Sequence, residues 1–315
     1  MSIKAMRAGN YDRKKIKFPV WALPKIDGVR GLNMGDGLTA RTMKKHKNYH
    51  VTALFSTPEH IGFDGELAAE RDTHPDLCRL TSSAVGTYEG TPFVLWHVFD
   101  FVTQETRLWP YSQRYGFLQR HLELQQAQGL CGHLRLVPYI VCNNLEELDA
   151  AHQHYMELGY EGTCFYGPGV KHKEGKSSPS HNGVLRIKDF VDTEAEVLEI
   201  LEGDTNLNEA QINELGRQFR SSHKENKIPN GMVGCLICRQ LTDVFDPMDE
   251  TNLLIAKDQI IKVSPGKMPH EERLHFYQNQ EKLLGQIIKH KFFPRGIKDK
   301  PRFSNYQCIR SPEDM

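Results

Sequence analysis

Leu23-Pro24-Lys25-Ile26-Asp27-Gly28-Val29-Arg30 is the stretch from which the rest of the chain can be read. It places an amine, a carboxylate, a glycine and a guanidinium between Lys25 and Arg30. A lysine that acts as a covalent nucleophile must lose its proton before it attacks, and burial and neighbouring cations both lower a lysine pKa. An isolated lysine is far more often a solvated surface group, and Asp27-Gly28 alone reads as a turn. In a strand, Arg30 falls on the same face as Gly28, where it can grip a phosphate or a sugar.

The chain has 315 residues, which fits one large or two ordinary domains. Hydrophobic residues make up 39% and charged residues 25%, enough for a packed core in a water-facing protein. Lys+Arg and Asp+Glu both number 40, so a nucleic-acid partner would need a local basic face rather than overall charge. Basic clusters occur at Arg41–Lys47, Lys289–Lys291 and Arg295–Arg302, each of which can also be plain solvated surface. The cysteines Cys78, Cys131, Cys142, Cys164, Cys235, Cys238 and Cys308 are odd in number and scattered, as expected for reduced thiols in a cytoplasmic setting. Cys235-Leu-Ile-Cys238 has no second pair nearby, and on a strand its thiols point to opposite faces; buried core cysteines are expected there, not zinc. No apolar run approaches the ~20 residues of a membrane span, and the basic N-terminus has no signal-peptide core.

Pattern predicts short strands within 16–34, a helical turn or strand at Val51–Phe55, and strands meeting at Asp64-Gly65 between Ile61 and Ala69. Phe93–Val102 reads as a buried strand, Leu108–Gln128 as a helix carrying Tyr115, Leu118, Leu122 and Leu124, and Leu134–Cys142 as a strand. Asn144 caps the next helix with Glu147 three residues on, and Gly159 ends it. Tyr160–Tyr166 and Val184–Lys188 read as strands around a loop from Gly167 to Gly183. A domain boundary falls near Phe190–Thr193, followed by Glu196–Leu201, a charged helical stretch at 207–221 and a strand at Met232–Cys238. Strands with one interposed helix over this last portion suit a small β-barrel.

Further segments fit the chemistry of Lys25. Asp64-Gly65-Glu66 repeats the carboxylate–glycine pattern, and Glu161-Gly162 puts a carboxylate at a strand start among apolar residues. A buried carboxylate usually has a cation or a metal as partner. Lys176, Arg186 and Lys188 add cations, with Arg186 and Lys188 on one strand face and Leu185 and Ile187 behind them. Phe99 or Phe101 can offer a ring to a base, although either can equally be core. There is no GxxxxGK[ST] and no GxGxxG, so neither common glycine-rich loop explains nucleotide chemistry here.

With these segments in this order, the chain resembles the covalent nucleotidyltransferases, and among them the small ATP-dependent DNA ligases of bacteriophage type. Lys25-Ile-Asp-Gly-Val-Arg30 is similar to the first motif of that family, Phe63-Asp-Gly-Glu66 to the third, Glu161-Gly162 to the fourth and Arg186-Ile-Lys188 to the fifth. Arg186 departs from the usual lysine, and arginine grips phosphate differently. Val98-Phe-Asp-Phe101 resembles the adenine-stacking segment, with Phe99 as the ring, and Lys173–Ser178 resembles the loop before the fifth motif.

The resemblance implies an α+β fold: an ATP-grasp-like nucleotidyltransferase domain with antiparallel sheets over residues 1–191, then an OB-fold β-barrel over 192–315. It implies Lys25 as the residue that carries AMP, with Asp27 positioning it or a metal-bound water. Pro24, Arg30, Arg41, Glu66, Phe99, Lys176, Arg186 and Lys188 would hold the nucleotide or the nick, and Glu161 and Glu66 a Mg²⁺ or Mn²⁺ ion. Segments at Arg220–Lys224 and Lys298–Phe303 resemble parts of the family's OB domain, with Lys300 and Arg302 orienting pyrophosphate. The implied activity seals nicks in double-stranded DNA with ATP, in replication, repair or recombination, through a lysine–AMP intermediate, in a monomer with no membrane partner. An RNA ligase and a GTP-using mRNA capping guanylyltransferase share the lysine motif and stand as alternatives, with a catalytically dead binding module as a third. Because only 24 residues precede Lys25, a minimal enzyme is expected, without a separate N-terminal DNA-binding domain or a nicotinamide-recognition segment.

Overall fold

The computed structural model describes residues 3–129, 132–247, 249–294 and 301–310. The chain divides into a first unit ending at Lys188 and a second beginning at Asp189. In chain order the strands of the first unit are β1 (Met6–Arg7), β2 (Gly9–Asn10), β3 (Val20–Pro24), β4 (Val29–Asn33), β5 (Leu38–Thr39), β6 (Phe63–Ala68), β7 (Leu95–Phe101), β8 (Leu134–Leu136), β9 (Ile140–Cys142), β10 (Gly162–Tyr166), β11 (Gly175–Lys176) and β12 (Leu185–Lys188). Its helices are α1 (Tyr49–Phe55), α2 (Leu77–Gly86), α3 (Tyr111–Ala127) and α4 (Leu145–Glu157).

These strands build two five-stranded, largely antiparallel sheets, ordered β2-β12-β10-β3-β9 and β5-β4-β6-β7-β8. Strand alternation sorts the second sheet into two faces. Phe63 and Leu67 of β6, with Trp96, Val98 and Phe101 of β7, join Phe55 and Leu118 in one core cluster. Asp64, Glu66 and Ala68, with Leu95, His97 and Phe99, fall on the other face. That face meets a core fed by both sheets and rich in aromatics, including Leu23, Tyr111, Tyr115 and Tyr166.

The second unit is also mainly antiparallel β. Its strands are β13 (Val191–Asn206), β14 (Ala210–Ile212), β15 (Gln218–Arg220), β16 (Lys227–Gln240), β17 (Val244–Asp246), β18 (Asp249–Ile255), β19 (Ile260–Val263), β20 (Ile287–Phe293) and β21 (Arg302–Ile309), and its helix is α5 (His270–Gln278). The main sheet runs β19-β16-β13-β20-β21 over its own core of Ala195, Val197, Leu236, Ile261, Ile288 and Phe292. No helix among the described residues is long and apolar enough to cross a membrane.

Of the two readings open for Val51–Phe55, the helical one holds. Three local expectations change. Asp64-Gly65 is not a turn: both residues lie inside β6, which shifts register against β7 between them. The stretch Leu134–Cys142 is two strands in different sheets, β8 beside β7 and β9 beside β3, because Pro138 lacks the N–H that a continuous ladder needs. Residues 207–221 form the β14–β15 hairpin instead of a helix; Asn213 accepts hydrogen bonds from the N–H groups of Leu215 and Arg217 at 3.1 and 3.0 Å, and Gly216 takes φ of 69°. By contrast, α4 is capped by Asn144 as expected: Asn144 accepts from the Glu147 N–H at 2.8 Å, and the Glu147 carboxylate reaches back one residue beyond the cap to accept from the Asn143 N–H at 2.8 Å. In α3 Tyr115, Leu118 and Leu122 are buried, but Leu124 is 66% exposed and the face closes with Gln125.

Candidate active site

The residues singled out in the first unit converge through two backbone bonds. The Lys25 N–H donates to the Gly162 carbonyl at 2.9 Å, and the Glu161 N–H donates back to the Lys25 carbonyl at 3.1 Å. These bonds tie the end of β3 to the start of β10, and β10 in turn pairs Gly162 with Lys188 of β12. Lys25 and Lys188 are thereby brought to either side of one carboxylate. Both ammonium groups donate to Glu161, Lys25 Nζ to Oε2 and Lys188 Nζ to Oε1.

Two glycines permit this approach. A Cβ on Gly162, whose φ is 154°, would stand 2.3 Å from the Ile187 carbonyl oxygen. A Cβ on Gly28 would stand 2.1 Å from the Leu67 carbonyl oxygen, so the turn after Lys25 lies against β6 only because residue 28 has no side chain.

The second sheet supplies the next row. Arg30 of β4 faces Glu66 of β6 across the ladder. Its guanidinium forms a bidentate pair with Asp64 at 2.6 and 2.8 Å, touches the Met6 carbonyl at 3.3 Å, and lies 4.6 Å from the centre of the Phe99 ring. Arg30 is thus held by a buried carboxylate and does not stand open to solvent. Phe99 is half-buried on this face, whereas Phe101 packs behind the sheet against Phe63 and Phe117.

The charge state of Lys25 differs from the sequence expectation. Burial does push its amine down, but the Glu161 carboxylate, helped by Cys164 and Glu66, outweighs burial and the pKa lies above the usual lysine value. Lys188 goes the other way: burial and the neighbouring Lys25 ammonium lower it, against the pull of Glu161. Burial would raise Glu161, yet the two ammonium groups hold it well below the usual carboxylate range. Glu66 is pushed up to about 7, first by burial and also by Glu161 and Asp27, with Arg30 and Lys25 opposing.

The remaining expected residues are more scattered. Pro24 is the buried last residue of β3, paired with Thr163, and Asp27 lies in the turn that follows, within electrostatic reach of Glu66 and Lys188. Arg186 donates to Asn10 Oδ1 at 3.2 Å. Arg41 is exposed after β5, and Lys176 is exposed on β11, which pairs with β1. Arg302 opens β21 of the second unit, 5.4 Å from the Phe303 ring. Lys300 and Cys131 lie outside the described residues. Cys235 and Cys238 are free thiols on β16, the latter buried in the core as expected. Among the described residues no group of three or more His, Cys, Asp or Glu side chains is arranged to hold a metal ion.

Sequence reasoning missed the partners that hold this face in place. Asp64 anchors Arg30, and Asp100 binds Arg114 of α3 bidentately at 2.7 and 2.9 Å in full burial. An arginine on the buried face of α3, between Tyr111 and Leu118, was the available signal. His97 was missed as well; its place two residues before Phe99 on one strand puts it on the same face.

No protein-family model matches the chain, and no curated protein matches it. Solved structures do. The chain is similar to Chlorella virus DNA ligase-adenylate, at 23% identity over 98% of this chain and 100% of that one, with a TM-score of 0.53. It is also similar to a Lig E DNA ligase, at 19% identity over 98% of this chain and 100% of that one, with a TM-score of 0.68. The two likenesses show a shared fold that runs through both units.

Proposed function

We propose that this protein is an ATP-dependent DNA ligase that seals a 5′-phosphate/3′-hydroxyl nick in duplex DNA through a lysine–AMP intermediate. The observation that carries the reading is the Lys25–Glu161–Lys188 cluster beside Arg30, Glu66 and Phe99, set in a fold shared with DNA ligases, one of them solved as its adenylate. On this reading the first unit is the nucleotidyltransferase domain and the second an OB-fold barrel. Support for the barrel comes from the two edge strands of its sheet, where the Ser264 N–H donates to the Ser304 carbonyl at 3.0 Å and the Tyr306 N–H to the Ser264 carbonyl at 2.9 Å.

The reaction starts when Lys25 Nζ, having lost a proton, attacks the α-phosphorus of ATP. An N–P bond forms, the bond to the β-phosphate oxygen breaks, and pyrophosphate leaves. A 5′-phosphate oxygen at the nick then attacks the same phosphorus and releases the lysine amine. The 3′-hydroxyl finally attacks the activated 5′-phosphate and expels AMP. Such transfers depend on position and on neutralised phosphate charge. Lys188 and Arg186 stand on β12 to meet phosphate oxygens, and Phe99 offers its ring to the base. Glu161 sets the timing: while it bridges both lysines Lys25 keeps its proton, so substrate entry must loosen that bridge before attack.

A divalent cation would fit here. Small hard cations such as Mg²⁺ take one or two carboxylates and complete their shell with water and phosphate oxygens, so a three-carboxylate cage is not required. Glu161 and Glu66 would hold it, and when bound it would neutralise charge on the phosphates.

Intact-mass spectrometry after incubation with Mg²⁺ and either ATP or GTP, then a chase with nicked duplex DNA, tests the reading. The expected result is an AMP adduct that is absent in Lys25→Ala and disappears as the nick closes. A GMP adduct, or an AMP adduct discharged only by nicked RNA, would replace this reading with capping or RNA-ligase chemistry.

A further inference from the structure

The outer edge of the second sheet carries a groove that the ligation steps do not use. β8 is the last strand of that sheet, and among the described residues no strand pairs with its other side. Its parallel pairing with β7 fixes which backbone groups are already engaged. The Trp96 N–H donates to the His133 carbonyl at 2.8 Å and the Val137 N–H to the Val98 carbonyl at 2.9 Å, so His133, Arg135 and Val137 turn to β7. Leu134 and Leu136 therefore point their N–H and C=O groups outward. The Leu134 carbonyl accepts from Arg135 Nη1 at 2.7 Å. The Leu134 N–H and both groups of Leu136 are what an added strand would meet, and such an edge is a template for another chain. Beside it runs α3, and between the two lies a cavity of about 600 Å³. Leu122, Leu134 and Leu136 give this cavity apolar lining, and Gln119, Glu123 and Gln126, on successive turns along one side of α3, give it polar lining. Leu122 and Leu134 belong to the core behind the sheet, and Leu136 packs against it.

Strand alternation says what such a chain would carry. Side chains directly opposite Leu134 and Leu136 fall on the same sheet face as those leucines and enter the groove beside α3, where apolar groups fit. The side chain between them falls on the other face, opposite Arg135. In an antiparallel pairing this central position is the one without backbone hydrogen bonds, where side chains approach most closely. The Arg135 guanidinium rests on the Gly132 and Leu134 carbonyls at 3.3 and 2.7 Å, and a carboxylate opposite it would replace neutral acceptors with a charged one. A second copy of this chain fits poorly, because two β8 strands paired through Leu134 and Leu136 set their Arg135 side chains directly against each other. We propose that the groove between β8 and α3 is a docking site for an extended segment of a partner protein, which adds an antiparallel strand to the second sheet and carries an acidic residue between two apolar ones. The inference does not depend on the ligase reading, because docking uses none of the chemistry at Lys25.

The probe is an acetylated and amidated peptide, Ser-Thr-Val-Glu-Val-Thr-Ser, with a control in which lysine replaces its glutamate. Binding to the full chain is read by backbone amide shifts in NMR and by hydrogen exchange. The expected Kd is on the order of 1 mM, as a few hydrogen bonds and two valines allow. Bound peptide should slow exchange of the Leu134 and Leu136 amides and leave those of Arg135 and Val137, which already face β7, unchanged. The glutamate peptide should bind about fivefold more tightly than the lysine peptide, and Arg135→Glu should reverse that order. N-methylation of both valines removes the donors that the edge needs and should abolish binding. Gln126→Trp fills the groove from the exposed side of α3; it should block both peptides while leaving adduct formation at Lys25 unchanged, with thermal melts to verify that both variants fold. Three results would each overturn the inference: no response of the Leu134 and Leu136 amides at millimolar peptide, equal binding of the two peptides, or a concentration-dependent dimer of the free chain that protects those same amides. The first two would leave Arg135 as a guard of the strand edge, and the third would make the edge an interface between copies.

Discussion

At the scale of single residues, the site is governed by who shares a proton with whom. Glu161 is held below the usual carboxylate range by Lys25 and Lys188, so its contribution to stability is present above its unfolded value and is lost as pH falls through the folded one. Lys25, raised by Glu161, contributes below its unfolded value and loses that contribution as pH rises through the folded one. Glu161→Gln leaves two ammonium groups facing a neutral amide. It should lower the unfolding free energy by about 2 kcal/mol at pH 7, somewhat less than for a fully buried pair because both lysines keep some contact with water. Urea melts across pH should show the deficit vanish in acid; a deficit independent of pH would refute this account. Glu66 behaves oppositely. With its folded value near 7 and an unfolded value near the ordinary glutamate range, the folded state binds the extra proton in between, so stability falls as pH rises through that window. Glu66→Gln should therefore be the more stable protein at pH 8, by roughly 1–2 kcal/mol, with the gain gone at pH 4. The structure brings Lys25, Glu161 and Lys188 together with Glu66 within electrostatic reach, four residues that motif order singles out. The direction of the Lys25 shift was not legible there, because burial and a carboxylate pull in opposite senses and only the structure supplies the carboxylate.

At the scale of elements, close approach decides more than propensity. The turn at Gly28 touches the Leu67 carbonyl, so Gly28→Ala must move the β3–β4 connection away from β6 and carry Lys25 with it. A loss of about 2 kcal/mol or more, with adduct formation lost in molecules that remain folded, is the expected outcome in calorimetry and intact mass. Asn144→Ala offers the contrast. It removes the cap of α4 and should cost about 1 kcal/mol while leaving adduct formation unchanged, because the cap supports the helix and not the site. Helix caps and strand alternation were readable because each depends on a few neighbouring residues. The β14–β15 hairpin was misread as helix because its charged sequence gives no clear period, and the turn chemistry of Asn213 and Gly216 carries the decision. The stretch around Pro138 was misread because two short strands in different sheets look like one long strand until their partners are known.

At the scale of the whole molecule, each unit has its own core, and Lys25, Glu66, Glu161 and Lys188 all belong to the first. A fragment of residues 1–188 should therefore melt cooperatively by itself. AMP at a hundred times its Kd should stabilise it by about 2.7 kcal/mol, as mass action requires for a ligand that binds only the folded form. A fragment that shows no cooperative transition would sink this prediction. The sequence by itself determined most strands and the cap of α4, and it singled out the segments of the proposed site around Lys25, because those depend on residue chemistry and on periods of a few residues. Only the tertiary structure decided that one glutamate would hold two lysines, one of them 136 positions away in sequence, and that Arg30 would be engaged by Asp64. It alone decided that His97 would stand across the ladder from Glu66. The physical reason is range. Backbone patterns are set by neighbours along the chain, whereas charge states and unpaired atoms are set by whatever the folded sheets bring within a few ångströms.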